Sequence, residues 1–404
     1  MKRVIIRIGS VADIGRGSSP RPITDKKYFE NGEIPWIKIA DATVSGKYIY
    51  KTKQYVNDLG ASYSRKMKPG TLILSASGSL GIPHFLGVEG CIHDGWIYMD
   101  NIHDIDKQYL YYLLLTMRPY FDNLSYGAAI QNINTSILSK TKIEVPSIQS
   151  QEKIGLMLSA YDNLIENNNK RIKLLEQMTE SLYKEWFVRF RFPGYKDVEF
   201  IDGFPKDWEK VKLDDVLNKI ATGLNPRKNF VLGEGENFYV TIKNMADNTV
   251  YLDDKCDKVN DDAIIKINKR SDLKIGDLLF SGIGTIGRVC LIDIPTNNWN
   301  ISESVFTMRA NKKISSEFLY MLLLSQDVQN YCQSKANGSA QKGIRMGDLR
   351  KYTFLLPTKN VINDFTNQIS PILRNVSLLR NENKNLIQQR DMLLPRLMSG
   401  KLEV

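Results

Sequence analysis

The amino-acid sequence predicts an α+β protein with two homologous α/β domains, separated by two long helices that pair as an antiparallel coiled coil. Two observations support this prediction. Segments of the first half recur in the second half in the same order, and each half ends in a heptad pattern. Homologous halves are usually related by a pseudo-twofold axis, and such an axis across two paired helices reverses their direction. The chain is therefore expected to be an internal duplication.

The internal repeat comprises four segments and their matches. In order, they are MKPGTLILSASGSLG at 67–81 with LKIGDLLFSGIGTIG at 273–287, QYLYYLLLT at 108–116 with EFLYMLLLS at 317–325, GAAIQNINTSIL at 127–138 with GSAQKGIRMGDL at 338–349, and EVP at 144–146 with LLP at 355–357. Short apolar runs such as 71–74 and 278–280 predict strands. The leucine-rich runs near Leu110 and Leu319 predict one helix in each half.

A seam of residues spaced four and three apart follows each domain, as in a coiled coil. Its members are Ile154, Leu158, Tyr161, Ile165, Asn168, Ile172, Leu175 and Leu182 in the first half, and Phe365, Ile369, Ile372, Val376, Leu379, Asn383, Leu386 and Leu393 in the second. One antiparallel register places Asn168 opposite Asn383 and Ile172 opposite Leu379. Paired seam asparagines can share a hydrogen bond and penalise slipped registers.

These patterns divide the chain into five segments. They are a first domain over 1–146, a first long helix over 147–190, a linker over 191–208, a second domain over 209–357, and a second long helix with the C-terminal tail over 358–404.

The composition narrows the class of protein. With 42% hydrophobic and 25% charged residues, the chain belongs with soluble globular proteins. Its formal charge of +10 favours a polyanionic partner, because clustered Lys and Arg release counterions from phosphates. The four cysteines lie far apart without a CxxC pair, which predicts reduced, mostly buried thiols. The apolar stretch at the N-terminus is too short for a signal peptide or a membrane span, so a cytoplasmic location is expected.

The stretch LLFSGIGTIGRV at 278–289 has the spacing of a nucleotide-binding turn and an FxGxG outline like that of methyltransferases. A dinucleotide fold needs a helix after the third glycine, but the residues after Gly287 alternate as a strand does. The counterpart of this loop has Ala76 at the first glycine. The sequence contains neither a Pro-Pro loop for an amino-methyltransferase nor a Pro-Cys nucleophile. We therefore predict a tight connection between two strands.

Other catalytic chemistry finds no support in the sequence. His84, His93 and His103 are its three histidines, and all lie in the first half, so a duplicated catalytic or metal site is not expected. Common hydrolase, metalloprotease and phosphate-loop motifs are also absent from the sequence. The sequence is that of a binding protein, with no cofactor and no metal of its own.

The order of domain and long helix, taken with four motifs, resembles the specificity subunit of a type I restriction-modification system. The motifs are PSIQSQEKI at 146–154, LYKEWFVRFRFPG at 182–194, SGIGTIGRV at 281–289 and QQRDMLLPRLMSGKLEV at 388–404. The resemblance covers the whole chain. It implies that each domain is a target recognition domain for one half of a split, asymmetric sequence in double-stranded DNA. It also implies that the helices set the spacer between the half-sites and dock two methyltransferase subunits.

The same resemblance assigns catalysis to partners. Methyltransferase subunits would methylate adenine N6 from S-adenosylmethionine, and restriction subunits would translocate and cut DNA with ATP and Mg. No membrane is involved. Two alternatives stay open at this point: a DNA methyltransferase that binds S-adenosylmethionine on the FSGIG loop, and a coiled-coil scaffold that holds proteins alone.

The candidate DNA contacts are loop residues whose side chains suit base edges. They are Lys38, Ser77, Ser79, Gln131, Asn132 and Asn134 in the first domain, and Lys243, Asn244, Thr285, Arg288, Lys342 and Arg345 in the second. Arg288 and Arg345 are expected to contribute most. Phosphate contacts are expected among these residues as well, because half or more of protein–DNA hydrogen bonds go to the backbone.

Overall fold

The computed structural model describes residues 3–43, 45–125, 132–338 and 342–404. Contacts divide the chain into two compact units. Unit 1 comprises Met1–Lys170 and Arg380–Val404, and unit 2 comprises Arg171–Leu379. Each unit therefore combines one globular domain with part of each long helix.

Unit 1 is a mixed α/β domain. Its strands are β1 (Val4–Arg7), β2 (Asp13–Arg16), β3 (Ile34–Ile37), β4 (Tyr48–Ile49), β5 (Tyr55–Val56), β6 (Arg65–Met67), β7 (Leu72–Ser75), β8 (Pro83–Leu86), β9 (Gly90–Ile92), β10 (Trp96–Asp100) and β11 (Lys142–Val145). Its helices are α1 (Ile39–Ala42), α2 (Asp58–Ser62), α3 (Lys107–Thr116), α4 (Arg118–Ser125), α5 (Thr135–Lys140) and the first part of α6 (Ile148–Tyr183). The strands form sheets in the orders β2-β10-β7-β8-β4 and β5-β3-β9-β6, and β1 pairs with β11.

Strand β7 lies at the centre of unit 1, and all four of its side chains are buried. Leu72 and Leu74 pack in a core with Leu110 of α3, whereas Ile73 packs in a second core with Trp96. Because successive side chains of a strand point to opposite faces, a strand covered on both faces is apolar throughout. This is why the segment has a continuous apolar run without alternation.

Unit 2 repeats this plan. Its strands are β12 (Phe200–Ile201), β13 (Phe204–Pro205), β14 (Glu209–Lys212), β15 (Leu217–Thr222), β16 (Asn237–Val240), β17 (Met245–Ala246), β18 (Thr249–Val250), β19 (Asp257–Val259), β20 (Leu278–Ser281), β21 (Val289–Leu291), β22 (Trp299–Ile301), β23 (Val305–Ala310) and β24 (Thr353–Leu356). Its helices are α7 (Asp261–Ser271), α8 (Ser316–Leu324), α9 (Gln326–Lys335), α10 (Met346–Arg350) and the first part of α11 (Lys359–Ser399).

The sheets of the two units correspond. The antiparallel ladder of β10 with β7 and β8 recurs as β23 with β20 and β21. The parallel pair of β3 and β9 recurs as β16 and β22. In β20, Phe280 packs in one core and Leu279 packs in another with Trp299, as in β7. The predicted duplication of mixed α/β domains is therefore confirmed.

The long helices α6 and α11 contain 36 and 41 residues. In unit 1, Asp162 accepts a hydrogen bond from Arg390 at 2.6 Å, and Asn168 donates to Asn383 at 3.1 Å. Increasing residue numbers in α6 thus meet decreasing numbers in α11, which confirms the antiparallel pairing. In unit 2, Ile172 packs with Val376 and Leu379. Every residue of the predicted seam is buried or half-buried.

The segment 191–208, expected as a linker, belongs to unit 2 and packs in its core. The buried rings of Phe192 and Trp208 stack with centroids 5.4 Å apart, and β12 pairs with β13 as a short hairpin. Its glycines and prolines indicated a connection between domains, but its aromatic side chains fix it to the core. The predicted domain limits themselves stay a prediction, because both units cut across the long helices.

All four cysteines are buried and none forms a disulfide, as predicted. Burial raises the pKa of Cys256 to about 11 and that of Cys332 to about 12. Among the helices described, none combines the length and the apolar character needed to span a membrane.

Candidate nucleic-acid interface

The glycine loop of unit 2 joins β20 to β21, as predicted, and a serine hydroxyl closes it. Ser281 Oγ donates to the carbonyl of Thr285 and accepts from the backbone N–H of Arg288 at 2.8 Å. Gly284 and Gly287 have φ angles of 76° and 93°, in the left-handed region that favours glycine. A strand follows Gly287, so no helix N-terminus is available there for a phosphate.

Internal packing explains the glycine at 282, whereas the positive φ angle explains the glycine at 287. A Cβ at Gly282 would lie 2.3 Å from the ring of Phe306, and one at Gly287 would lie 2.0 Å from Gln329 Oε1. Both glycines thus fit close approaches within unit 2. The GxGxxG outline is accounted for without a nucleotide.

Unit 1 has the same closed loop at its matching position. Ser75 Oγ donates to the carbonyl of Ser79 and accepts from the backbone N–H of Ile82 at 2.9 Å. The N–H of Gly81 donates to the carbonyl of Ser75 at 2.8 Å, as Gly287 does to Ser281 at 3.0 Å. The recurrence of this hydrogen-bond pattern in two diverged domains defines a shared structural element.

A second segment lies against the glycine loop in each unit. Ile133 N–H donates to the carbonyl of Ala76 at 3.0 Å, and Ser77 forms a β-bridge with Asn132. In unit 2, Ile344 N–H donates to the carbonyl of Gly282 at 2.8 Å. Two loops distant in sequence therefore present their polar side chains side by side.

The predicted contact residues differ in their accessibility. Exposed side chains are those of Ser79, Asn132, Asn134, Lys243, Thr285, Lys342 and Arg345, and half-buried ones are those of Lys38, Ser77 and Arg288. Gln131 lies outside the described residues. The structure brings Ser77, Ser79 and Asn132 to one place in unit 1, and Thr285 and Lys342 to one place in unit 2.

Two of the candidates in unit 2, Asn244 and Arg288, form hydrogen bonds within the unit. Asn244 is 5% exposed, and its Oδ1 accepts from Thr241 N–H at 2.9 Å, so its side chain closes a turn. Arg288 Nη1 donates to the carbonyls of Ile242, at 2.9 Å, and Met245. One nitrogen of the Arg288 guanidinium therefore holds the turn at 242–245, and base contact by Arg288 stays a prediction.

Asn134 also has a local role. Its Oδ1 accepts from Ile137 N–H at 2.7 Å and caps helix α5. Asparagine immediately before a helical segment is a common capping residue, so the sequence contained the signal for this assignment. Its exposed side chain is already partly committed to the helix.

A charged cluster in unit 1 was missed by the sequence reasoning. Asp94 accepts hydrogen bonds from Ser19 Oγ at 3.2 Å and from Arg21 Nη2. Arg16 donates through Nε to the carbonyl of Asp94 at 2.7 Å and through Nη2 to Asn132 Oδ1 at 3.1 Å. Arg16 therefore links Asp94 to the segment that borders the glycine loop.

The charged groups of this cluster shift the pKa of the neighbouring His93. Burial lowers the pKa of His93; Asp94 raises it, and Lys38, Arg21 and Arg16 lower it further. The ring of His93 lies 5.3 Å from that of Trp36, over which Lys38 Nζ lies at 5.5 Å. Among the described residues, no group of three His, Cys, Asp or Glu side chains could hold a metal ion.

Comparison with known proteins identifies the family. The family model "Type I restriction modification DNA specificity domain" matches residues 3–177 and 205–389. The chain belongs to this family, and the two matches coincide with the two halves of the duplication.

Three similar proteins extend this result along the whole chain. The type I restriction enzyme MjaIX specificity subunit of Methanocaldococcus jannaschii is 25% identical, with 98% of this chain and 93% of that protein covered. The HindI specificity subunit of Haemophilus influenzae is 22% identical, with 97% and 98% covered. The crystal structure of the S subunit of a type I restriction-modification system from M. genitalium superposes with a TM-score of 0.61 at 15% identity, covering 98% of this chain and 96% of that one.

Proposed function

We propose that this chain reads DNA sequence for a type I restriction-modification complex. Each domain recognises one half of a two-part, asymmetric DNA target. The paired helices α6 and α11 set the distance between the half-sites and dock two methyltransferase subunits, and restriction subunits join the same complex. The chain itself is not a catalyst. S-adenosylmethionine, ATP and Mg serve the partner subunits.

The observation that supports this function best is a shared scaffold with different exposed side chains. Both domains place the serine-closed glycine loop beside a second loop, at Ile133 in one and Ile344 in the other. Around these scaffolds, unit 1 exposes Ser79 and Asn132, whereas unit 2 exposes Thr285 and Lys342. Two similar frames with different hydrogen-bonding groups suit two different half-sites.

The net charge supports the same partner. At +10, the chain gains binding free energy by releasing counterions from DNA phosphates. A scaffold that binds proteins alone gives no reason for cations beside both polar loops, where Arg16 lies in unit 1 and Lys342 and Arg345 lie in unit 2.

A methylation assay with purified components tests the proposal. The cognate methyltransferase subunit is given random-sequence DNA and S-adenosylmethionine, with and without the chain. We expect sequence-selective adenine methylation when the chain is present. Calorimetry on the chain alone should detect no S-adenosylmethionine binding. Binding by the isolated chain would favour the methyltransferase alternative, and unselective methylation by the complex would favour the protein scaffold.

A further inference from the structure

The charged cluster of unit 1 contains an excess of positive charge. Asp94 is paired with Arg21 and lies beside Arg16. The charge of Lys38 also lies close enough to lower the pKa of the neighbouring His93. The side chain of Arg21 is 68% exposed. An ion pair this exposed is stabilised only weakly, so Arg21 can leave Asp94 for another anion at little cost.

The segment that carries Arg21 is nevertheless held in place. The N–H of Gly17 donates to the carbonyl of Trp96 at 2.9 Å, and that of Ser18 donates to the carbonyl of Ile92 at 3.2 Å. A Cβ at Gly17 would lie 2.2 Å from the carbonyl oxygen of His93. The backbone therefore approaches so closely that glycine is required, and the segment presents Arg21 from a fixed base.

The orientation of Asn132 follows from its partner. An arginine guanidinium donates hydrogen bonds and cannot accept them. The Asn132 amide atom that faces Arg16 Nη2 at 3.1 Å must therefore be the oxygen. The amide nitrogen then remains a donor on an exposed side chain, and an asparagine amide can hydrogen-bond the edge of a base.

We propose that Arg21 binds a DNA phosphate and that Asn132 reads a base edge, in a site of unit 1 that Asp94 and Arg16 assemble. This inference rests on the proposed function and deepens it. Asp94 holds Arg21 until a phosphate replaces the carboxylate. Arg16 is a positioning residue, because its two donors fix Asn132 relative to Asp94.

Unit 2 builds its matching position differently. The N–H of Ser302 donates to the carbonyl of Val240 at 2.9 Å, as that of His93 does to Ile37 at 3.0 Å, so Glu303 occupies the place of Asp94. Glu303 accepts from Asn225 Nδ2 and from Tyr239 OH at 3.3 Å, both neutral donors. The proposed phosphate site at Arg21 and Asp94 is thus specific to the first domain.

The phosphate contact is tested by salt-dependent binding of DNA to the complex with its methyltransferase subunit. Arg21→Ala should weaken binding on the order of tenfold at low salt and reduce the slope of log K against log salt by about 1, without changing the methylated motif. Lys66→Ala is the matched control, since Lys66 is an exposed cation paired with Glu89 in the same unit. An Arg21→Ala complex that binds like the control, or that methylates a relaxed motif, overturns the phosphate assignment.

The base contact is tested by sequencing methylated DNA. Asn132→Ala should relax one position in one half of the motif. Arg16→Lys should relax the same position, because lysine keeps the charge but lacks the fork that reaches both Asp94 and Asn132. An unchanged motif for Asn132→Ala, or an Arg16→Lys variant that reads like wild type, contradicts the assignment.

Two controls keep the outcomes separate. Labelling of the buried Cys91 thiol in each variant shows whether unit 1 is folded. If the wild-type complex methylates a two-part motif, but Arg21→Ala binds DNA like the control and both Asn132→Ala and Arg16→Lys leave the motif unchanged, this inference fails and the proposed function stands. If the wild-type complex has no sequence preference, the proposed function fails with it.

Discussion

Replacing Lys47 with methionine should flatten the pH dependence of unit 1 stability. Lys47 is 8% exposed, and its ammonium donates to Tyr112 OH at 3.0 Å and to Ser159 Oγ at 2.9 Å. Burial lowers the pKa of Lys47 to about 8, although Asp162, Asp106 and Glu166 favour the charged form; Arg390 acts in the same direction as burial. The unfolded chain, with an ordinary lysine pKa of about 10.4, binds the proton more tightly.

The sign and size of this pH dependence follow from the different proton affinities of Lys47 in the folded and unfolded states. Between pH 8 and 10.5 the unfolded state carries more protons than the folded state, so the free energy of unfolding rises with pH. Below pH 8 the buried ammonium destabilises the folded state to its full extent, and this destabilisation disappears as the pH approaches 10.5. For the folded pKa of about 8, the gain between pH 7 and 9.5 is about 2 kcal/mol. Lys47→Met removes the titrating group and therefore this gain.

Thiol labelling in urea measures the effect in the relevant unit. Cys91 is buried in unit 1, and Cys332 is buried in unit 2. The free energy of unfolding obtained from Cys91 labelling should rise from pH 7 to 9.5 by about 2 kcal/mol more in wild type than in Lys47→Met. The midpoint of Cys332 serves as the internal control and should respond equally in both proteins. Parallel pH profiles for Cys91 in the two proteins would refute the reasoning.

Three further predictions concern the helices and the glycine loops. Replacing both Asn168 and Asn383 with leucine should keep the helical content but broaden distances between spin labels on α6 and α11 within unit 1, because the register loses its hydrogen bond; an unchanged distribution would argue against a register role. Ser281→Ala should destabilise unit 2 by about 1–3 kcal/mol in urea titrations, since it leaves buried loop groups without their partner. Arg390→Met should cost about 3 kcal/mol in unit 1 by leaving Asp162 buried without its cation, and a neutral effect would show that Lys47 suffices.

The features that sequence predicted best are periodic or repeated. The four and three spacing of the seam places Asn168 and Asn383 on the same faces as their apolar neighbours, and their hydrogen bond lies within unit 1. The strand after Gly287 was readable because its residues alternate. Such signals depend on local spacing, which the chain retains whatever its tertiary contacts.

The side chains of the candidate site were harder to assign because their partners are distant in sequence. Arg288 suits a base edge by residue type, but its guanidinium is held by carbonyls 43 and 46 residues earlier. Arg16 and Arg21 were overlooked because the residue that gathers them, Asp94, lies 78 and 73 residues away. No periodicity encodes such contacts, so the residue type alone could not separate a structural arginine from an available one.

Methylation sequencing of DNA from cells that express this chain with its cognate methyltransferase subunit tests the central claim most directly. The account predicts a methyladenine motif in two parts, separated by a gap of unspecified bases. Exchanging residues 1–146 for the first domain of a relative should change one part and leave the other intact. A single continuous motif, or a motif in which both parts change after the exchange, would contradict the assignment of one domain to each half-site.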